Sequence, residues 1–206
     1  MTPVHIAILA KAPRAGFAKT RLIPALGADG AARLARRLLD HALAQAHAAR
    51  IGPVALCVTP ASDAMWRQMQ LPAGTQLSDQ GEGDLGDRLA RVCECVARAG
   101  GPVLLMGTDC PALDAERLGA IAAQLATHDA VMVPATDGGY TALALQRFDA
   151  SLFLNIAWST ASVGATTLLR LQALGWRVAV LPALSDIDEP SDLGALPAGW
   201  MEACHG

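Results

Sequence analysis

Short apolar runs alternate with longer amphipathic stretches from one end of the chain to the other. The runs at 5–10, 54–58, 103–106, 130–133, 141–145 and 178–181 read as strands. Between them, 31–50, 61–69, 85–99, 115–127 and 161–174 read as helices. In 31–50, Leu34, Leu38, Leu39, Ala42, Leu43 and Ala46 recur on one helical face, while Arg33, Arg37, Asp40 and His41 fall largely elsewhere, and Asp29 offers a cap. In 115–127, Leu118, Ile121, Ala122 and Leu125 form the stripe and Asp114 stands at the N-cap position. This is a βαβ rhythm without an internal repeat, and it predicts an α/β fold with a mixed, mostly parallel sheet.

Composition narrows the picture. Of the 206 residues, 52% are apolar and 17% charged, enough to build a large core and to fold as a single domain over 1–206. No apolar run approaches the roughly 18 residues of a membrane span. Residues 1–10 lack the basic region and cleavage site of a secretory signal, so they read as a first strand, and the expected location is the cytoplasm. Cys57, Cys93, Cys95, Cys110 and Cys204 are odd in number and contain no Cys-x-x-Cys pair, which supports neither a disulfide framework nor a zinc site. A net charge of −3 without basic, aromatic-interleaved stretches excludes a nucleic-acid surface and leaves room for a small anionic ligand. A homo-oligomer is compatible with the sequence.

The chemistry concentrates where strands end. Directly after the first strand come Lys11, Arg14, Lys19 and Arg21, with Pro13 and Gly16 turning the backbone between them. Such a cluster repels itself unless an anion balances it, so Lys19 and Arg21, with Lys11 and Arg14 beside them, are expected on phosphates; a solvated basic loop is the plain alternative. Neither a Walker A loop nor a Gly-x-Gly-x-x-Gly fingerprint is present. The run 103–106 leads through Gly107 and Thr108 to Asp109, a carboxylate at a strand edge suited to a hard divalent ion, or else a turn residue ahead of the next helix. Asp186 and Asp188 alternate onto one side, and Asp188, or less securely Asp186, is the candidate second metal carboxylate; Asp-Glu-Pro-Ser is equally a helix start, with Ser191 or Asp192 structural.

Asp137-Gly138-Gly139-Tyr140 lets backbone approach a ligand, and Tyr140 is placed to stack on a base or sugar, unless the segment is a simple hairpin. Trp158, Ser159 and Thr160 are candidates for an acceptor pocket, or Ser159 and Thr160 cap the following helix. Gly83 and Asp84 open a helix whose free amides suit a base or ribose, with Asp84 as a plain N-cap the alternative.

Residues 11–22, 83–88, 107–111, 137–140, 158–160 and 186–193, in this order, resemble a bacterial transferase-1 family associated with radical-SAM and selenoprotein clusters, described as glycosyltransferases of arsenosugar biosynthesis. The specific pieces are Lys19-Thr20-Arg21-Leu22, Gly83-Asp84-Leu85-Gly86 and Asp137-Gly138-Gly139-Tyr140, and the match covers nearly the whole chain. The family is similar to the GT-A-like nucleotide-diphospho-sugar transferases and to the molybdenum-cofactor and phospholactate guanylyltransferases. The resemblance implies a three-layer α/β/α sheet with the nucleotide over the strand ends, magnesium or manganese on Asp109, and Lys19 and Arg21 near phosphates.

Three functions remain open on this reading. One is glycosyl transfer from a nucleotide sugar to a small acceptor, with Lys19, Arg21 and Asp109 catalytic. The second is nucleotidyl transfer from a nucleoside triphosphate to a phosphorylated acceptor, releasing pyrophosphate. The third is a nucleotide-binding module without turnover.

Overall fold

The computed structural model describes residues 2–202; Cys204 lies outside them. Seven strands form one sheet: β1 (His5–Lys11), β2 (Val54–Thr59), β3 (Thr75–Asp79), β4 (Val103–Met106), β5 (Ala130–Pro134), β6 (Tyr140–Leu145) and β7 (Val178–Val180). Their order is β3-β2-β1-β4-β6-β5-β7. Only β6 runs against its neighbours β4 and β5, and the other pairings are parallel.

Helices α1 (Ile23–Ala49), α2 (Met65–Gln68), α3 (Leu85–Ala99), α4 (Ala115–Gln124) and α5 (Val163–Ala173) complete the main elements. Both faces of the central strands are buried, as a covered parallel sheet requires. One face carries Ile6, Ile8, Leu56, Leu104 and Val131 against Leu39 and Leu43 of α1 and Leu118 and Ile121 of α4. The other carries Ala7, Cys57, Leu105, Met132 and Leu143 against Leu89 and Cys93 of α3 and Leu171 of α5. The predicted three-layer α/β/α architecture is therefore the observed one.

Several boundaries differ from expectation, each for a local reason. Helix α1 is two helical segments meeting at Gly27, whose φ 69° and ψ 167° are not helical: Pro24 suits the first turn of the short leading segment, and the longer one, after Gly27, carries the expected stripe. Asp29 stands two residues past that break, at the start of the longer segment. The expected helix 61–69 shrinks to one turn at α2, and α5 starts at Val163, after Ser162, so neither Ser159 nor Thr160 is its N-cap. Strand β3 is an addition; its Thr-Gln-Leu-Ser-Asp sequence is largely exposed and carries little apolar signal. Asp114 caps α4 by accepting from the Arg117 amide at 2.9 Å, as expected.

A cleft at the strand ends

The parallel strands bring their C-terminal ends to one edge, and β6, running the other way, brings its start there too. Lys11 closes β1, the segment 107–109 leaves β4, and the β5–β6 turn delivers Asp137 to Tyr140. These segments line a cleft of about 890 Å³, together with the start of α3 and residues 158–161. Open α/β sheets bind ligands in this position.

At the floor, Lys19 joins the two sequence-predicted carboxylates. Its Nζ donates to Asp109 Oδ1 at 2.8 Å, to Asp188 Oδ1 at 2.7 Å and to the Ile187 carbonyl at 2.5 Å. Only 6% of the lysine side chain is exposed, against 41% of Asp109 and 39% of Asp188. Burial opposes the ammonium's charge, but Asp109 and Asp188 together outweigh it and raise its pKa above the ordinary lysine value. The backbone holds this arrangement, since Ile187 N–H donates to the Asp109 carbonyl at 2.9 Å and Asp192 Oδ2 accepts from the Asp188 amide at 3.0 Å. Glu189 and Asp192 form a capping box on the 3-10 helix Pro190–Ala195, so Asp192 is structural.

Part of the basic loop is balanced from within the chain. Arg14 turns away from the cleft to Asp63, at 2.6 Å, and lies 4.8 Å over the Phe17 ring. Lys19 is neutralised by Asp109 and Asp188, and Arg21 stands 3.8 Å from Glu189 with both side chains largely exposed. Carboxylates distant in sequence balance Arg14 and Lys19. Lys11 and Arg21 remain on the cleft wall, whereas Arg14 and Gly16 are off it.

At the α3 end, Asp84 both lines the cleft and caps the helix. Its Oδ1 accepts from the Asp87 amide at 3.0 Å, and Asp87 Oδ2 accepts from the Asp84 amide at 3.0 Å. Asp84 is thus the helix N-cap of the plain alternative and also stands on the cleft wall; Gly83 is not part of the wall. Beside it stands Gln80, which opens the Gly-rich stretch 80–89 but is not itself singled out as a site residue by the sequence. Only 3% exposed, it donates both amide hydrogens, to Ala10 O at 3.1 Å and Cys57 O at 2.7 Å. With both amide hydrogens committed, its side-chain oxygen is the polar atom Gln80 has left to offer a ligand from the cleft wall it lines. The signal that could have exposed it was β3, whose end it follows.

At the opposite end, the β5–β6 hairpin is locked by backbone contacts. Ala135 N–H donates to the Gly139 carbonyl at 3.1 Å, and Gly164 N–H donates to the Gly138 carbonyl at 2.9 Å. Gly138 has φ 94°, and a Cβ there would lie 2.2 Å from the Ala161 carbonyl oxygen. Asp137 Oδ1 accepts from the Gly139 amide at 2.8 Å, which fixes the carboxylate on the cleft wall. Tyr140 lines the cleft with its ring, but its hydroxyl is buried against the core near Cys93 and Thr167 with no hydrogen-bond partner, and burial raises its pKa. Ser159 adopts φ 62°, a strained value for a residue with a side chain, and lines the cleft with Trp158, Thr160 and Gly139.

Thr108 and Asp188 also face the cleft, while Asp186 does not. Asp186 lies behind it, where burial first and then Asp137, Asp188 and Asp109 push its carboxyl up to about 6. Among the described residues no three His, Cys, Asp or Glu side chains form a ready metal cluster. Asp109 and Asp188 are the pair that one cation already bridges.

No helix among the described residues is long and apolar enough to cross a membrane. The fold is similar to that of a candidate nucleotide-diphospho-sugar transferase of Desulfovibrio desulfuricans G20, at 26% sequence identity and a TM-score of 0.86 over 98% of this chain and 94% of that one. Rv0371c of Mycobacterium tuberculosis H37Rv aligns at 19% identity and a TM-score of 0.60 over 94% of this chain and 97% of its own; a structure of Rv0371c in complex with manganese aligns as well. CMP:2-keto-3-deoxy-manno-octonic acid synthetase in complex with CTP aligns at 13% identity and a TM-score of 0.59 over 94% and 96% of the two chains, a likeness of fold. No curated protein sequence matches the chain. Residues 38–160, from within α1 through the hairpin to Thr160, match a family model, and the chain belongs to that family, the uncharacterized proteins conserved in bacteria designated DUF2064.

Proposed function

We propose that the chain is a single-domain, cytoplasmic, metal-dependent transferase that moves a sugar from a nucleotide-diphospho-sugar to a small acceptor, as the transferase-1 resemblance implies. The observation that carries this reading is the meeting of Asp109 and Asp188 over one buried ammonium at the floor of a strand-end cleft. A cation is already favoured there, with Lys19 as a stand-in of lower charge. Two carboxylates, completed by waters and phosphate oxygens, are the oxygen donors magnesium or manganese takes, so the residues fit such an ion. Bound there, the ion would offset charge that develops on the leaving diphosphate.

The remaining roles follow from position. Lys11 and Arg21 face the diphosphate, with Thr108 beside it. Gln80 Oε1 accepts from an N–H of the base, and Asp84 with the α3 amides meets the base or ribose. Asp137 takes the proton from the acceptor hydroxyl as the new bond from that oxygen to the sugar carbon forms and the bond from the sugar to the diphosphate breaks. Tyr140, Trp158, Ser159 and Thr160 wall the acceptor end. The likeness to a candidate nucleotide-diphospho-sugar transferase along nearly the whole chain supports this reading.

The likeness in fold to a synthetase seen in complex with CTP favours a second reading, nucleotidyl transfer with pyrophosphate release. Incubation with UDP- and GDP-sugars, and separately with GTP and CTP, in magnesium or manganese, separates the two. Release of a nucleoside diphosphate from one nucleotide sugar, lost in Asp109→Ala, is the expected result. Pyrophosphate release from a triphosphate without turnover of any nucleotide sugar supports the second reading. Metal-dependent nucleotide binding with no turnover of either class supports a non-catalytic module.

A further inference from the structure

Lys19 Nζ sits between Asp109 Oδ1 and Asp188 Oδ1, the point a cation bridging those two oxygens would take. A lysine ammonium has three hydrogens, and all three are committed, to Asp109 Oδ1, Asp188 Oδ1 and the Ile187 carbonyl. None is left for a phosphate oxygen. In this conformation, then, Lys19 has no hydrogen left for phosphate and holds the Oδ1 atoms of both carboxylates. The backbone at Lys19 is also unusual: φ 51° and ψ 42° place a residue with a side chain in the left-handed region, immediately before the 3-10 helix Thr20–Leu22. The chain tolerates this strain at the residue whose side chain plugs the carboxylate pair.

We infer that Lys19 is a tethered cation that occupies the metal position in the absence of ligands and is exchanged for a divalent ion when nucleotide binds. The inference rests on the reading of Asp109 and Asp188 as metal carboxylates. Charge makes the exchange favourable in one direction only when phosphate is present. One ammonium leaves the two carboxylates with one unit of negative charge, which a divalent ion removes, but evicting Lys19 breaks three charge-assisted hydrogen bonds. Lys19 lines the cleft, so the released ammonium has the donor's phosphates within its sweep, and those oxygens replace the partners it lost. Metal and nucleotide therefore bind cooperatively, each raising affinity for the other.

Manganese alone, titrated into the full chain by calorimetry, tests this without turnover. Lys19→Met is expected to bind manganese at least about tenfold more tightly than wild type, the scale of a typical coupling between sites. Adding Asp188→Asn to Lys19→Met is expected to abolish the gain. Arg36→Met removes the same charge from α1, where Arg36 pairs with Asp40, and is expected to leave manganese affinity within about twofold. An unchanged or weaker affinity in Lys19→Met overturns the inference, as does an equal gain in Arg36→Met. Should Lys19→Met fold poorly, its Tm in EDTA and in manganese decides: a larger metal-induced rise than wild type supports the exchange, and an equal or smaller one overturns it. Titration of wild type with UDP- and GDP-sugars in manganese is the separate control, because failure to bind them defeats the transferase reading while the manganese comparison stands alone.

Discussion

The two ends of the cleft organise charge in opposite ways. The loop after β1 places four cations between Lys11 and Arg21, and Arg14 and Lys19 are held by carboxylates from elsewhere in the chain, Asp63 in one case and Asp109 with Asp188 in the other. The β5–β6 turn presents one carboxylate, Asp137, and fixes it with amides and closely packed glycines, leaving one of its oxygens uncommitted. A dense charge cluster in sequence thus does not measure the charge available to a ligand, because its counter-ions come from distant residues. Paired glycines beside a polar residue are better guides to a preorganised group, since they mark places where backbone approaches backbone.

The largest effect expected from this contrast is on turnover. Asp137→Asn is predicted to reduce sugar transfer by about a hundredfold to a thousandfold, the scale of losing a general base, while nucleotide affinity stays within about threefold. Steady-state rates and calorimetry on the same preparation check it, and a parallel loss of nucleotide binding would reassign Asp137 to the donor side. Next in size is a pair of glycine substitutions, one at each end. Gly138→Ala meets both a positive φ and the Ala161 carbonyl and is predicted to cost about 3 kcal/mol. Gly16→Ala, at φ 74° with nothing within 4 Å, is predicted to cost about 1 kcal/mol. Urea unfolding of both variants measures the difference, and equal costs would contradict the account of the locked hairpin.

Smaller effects sharpen the same comparison. Asp63→Ala releases Arg14 and is predicted to lower stability by about 1 kcal/mol while nucleotide affinity changes less than about twofold. A larger loss of affinity would bring Arg14 back into the site. The smallest effect concerns Asp186, whose carboxyl stands near 6 instead of 3.8. The folded state then binds more protons than the unfolded state between roughly pH 4 and 6, so stability declines as pH rises through that window and the cost is fully present above it. Asp186→Asn is predicted to be more stable than wild type at pH 7.5, by about 1 kcal/mol once partial exposure is discounted, and equal to it at pH 3.5. Thermal melts in EDTA at the two values read the sign directly.

The fold was largely legible in the sequence because both faces of the central strands are buried. The runs at 103–106 and 130–133 are strands buried throughout or nearly so, and the helix expected at 85–99 coincides with α3. What escaped lies at the sheet edge. β3 has one large apolar residue, Leu77, itself 47% exposed, so period-2 patterning had nothing to act on. Missing β3 hid Gln80, whose significance comes from being buried at a strand end with both amide hydrogens committed. The short helical segment ahead of Gly27 was not expected, whereas the longer one after it coincides with the stripe from Leu34 to Ala46.

The site divides along the same line. Asp109, Asp188 and Lys19 were each legible as candidates, from a strand-end carboxylate, a late acidic run and a basic loop. Their meeting around one nitrogen was not, because it joins segments 168 and 169 positions or so apart in sequence through Ile187 and Asp188. Tyr140 shows the reverse case: its place beside Gly139 was legible, but the direction of its hydroxyl, into the core beside Thr167, depends on how α3 and α5 pack beneath β6.

The central claim is that Asp109 and Asp188 carry a divalent ion that binds with the nucleotide. Calorimetric titration of UDP- and GDP-sugars into wild type and Asp109→Ala, each in EDTA and in manganese, tests it most directly. The account predicts one nucleotide sugar that binds wild type in manganese, binds at least about tenfold more weakly in EDTA, and shows no manganese enhancement in Asp109→Ala. Equal binding with and without manganese, or a manganese enhancement that survives Asp109→Ala, would contradict it.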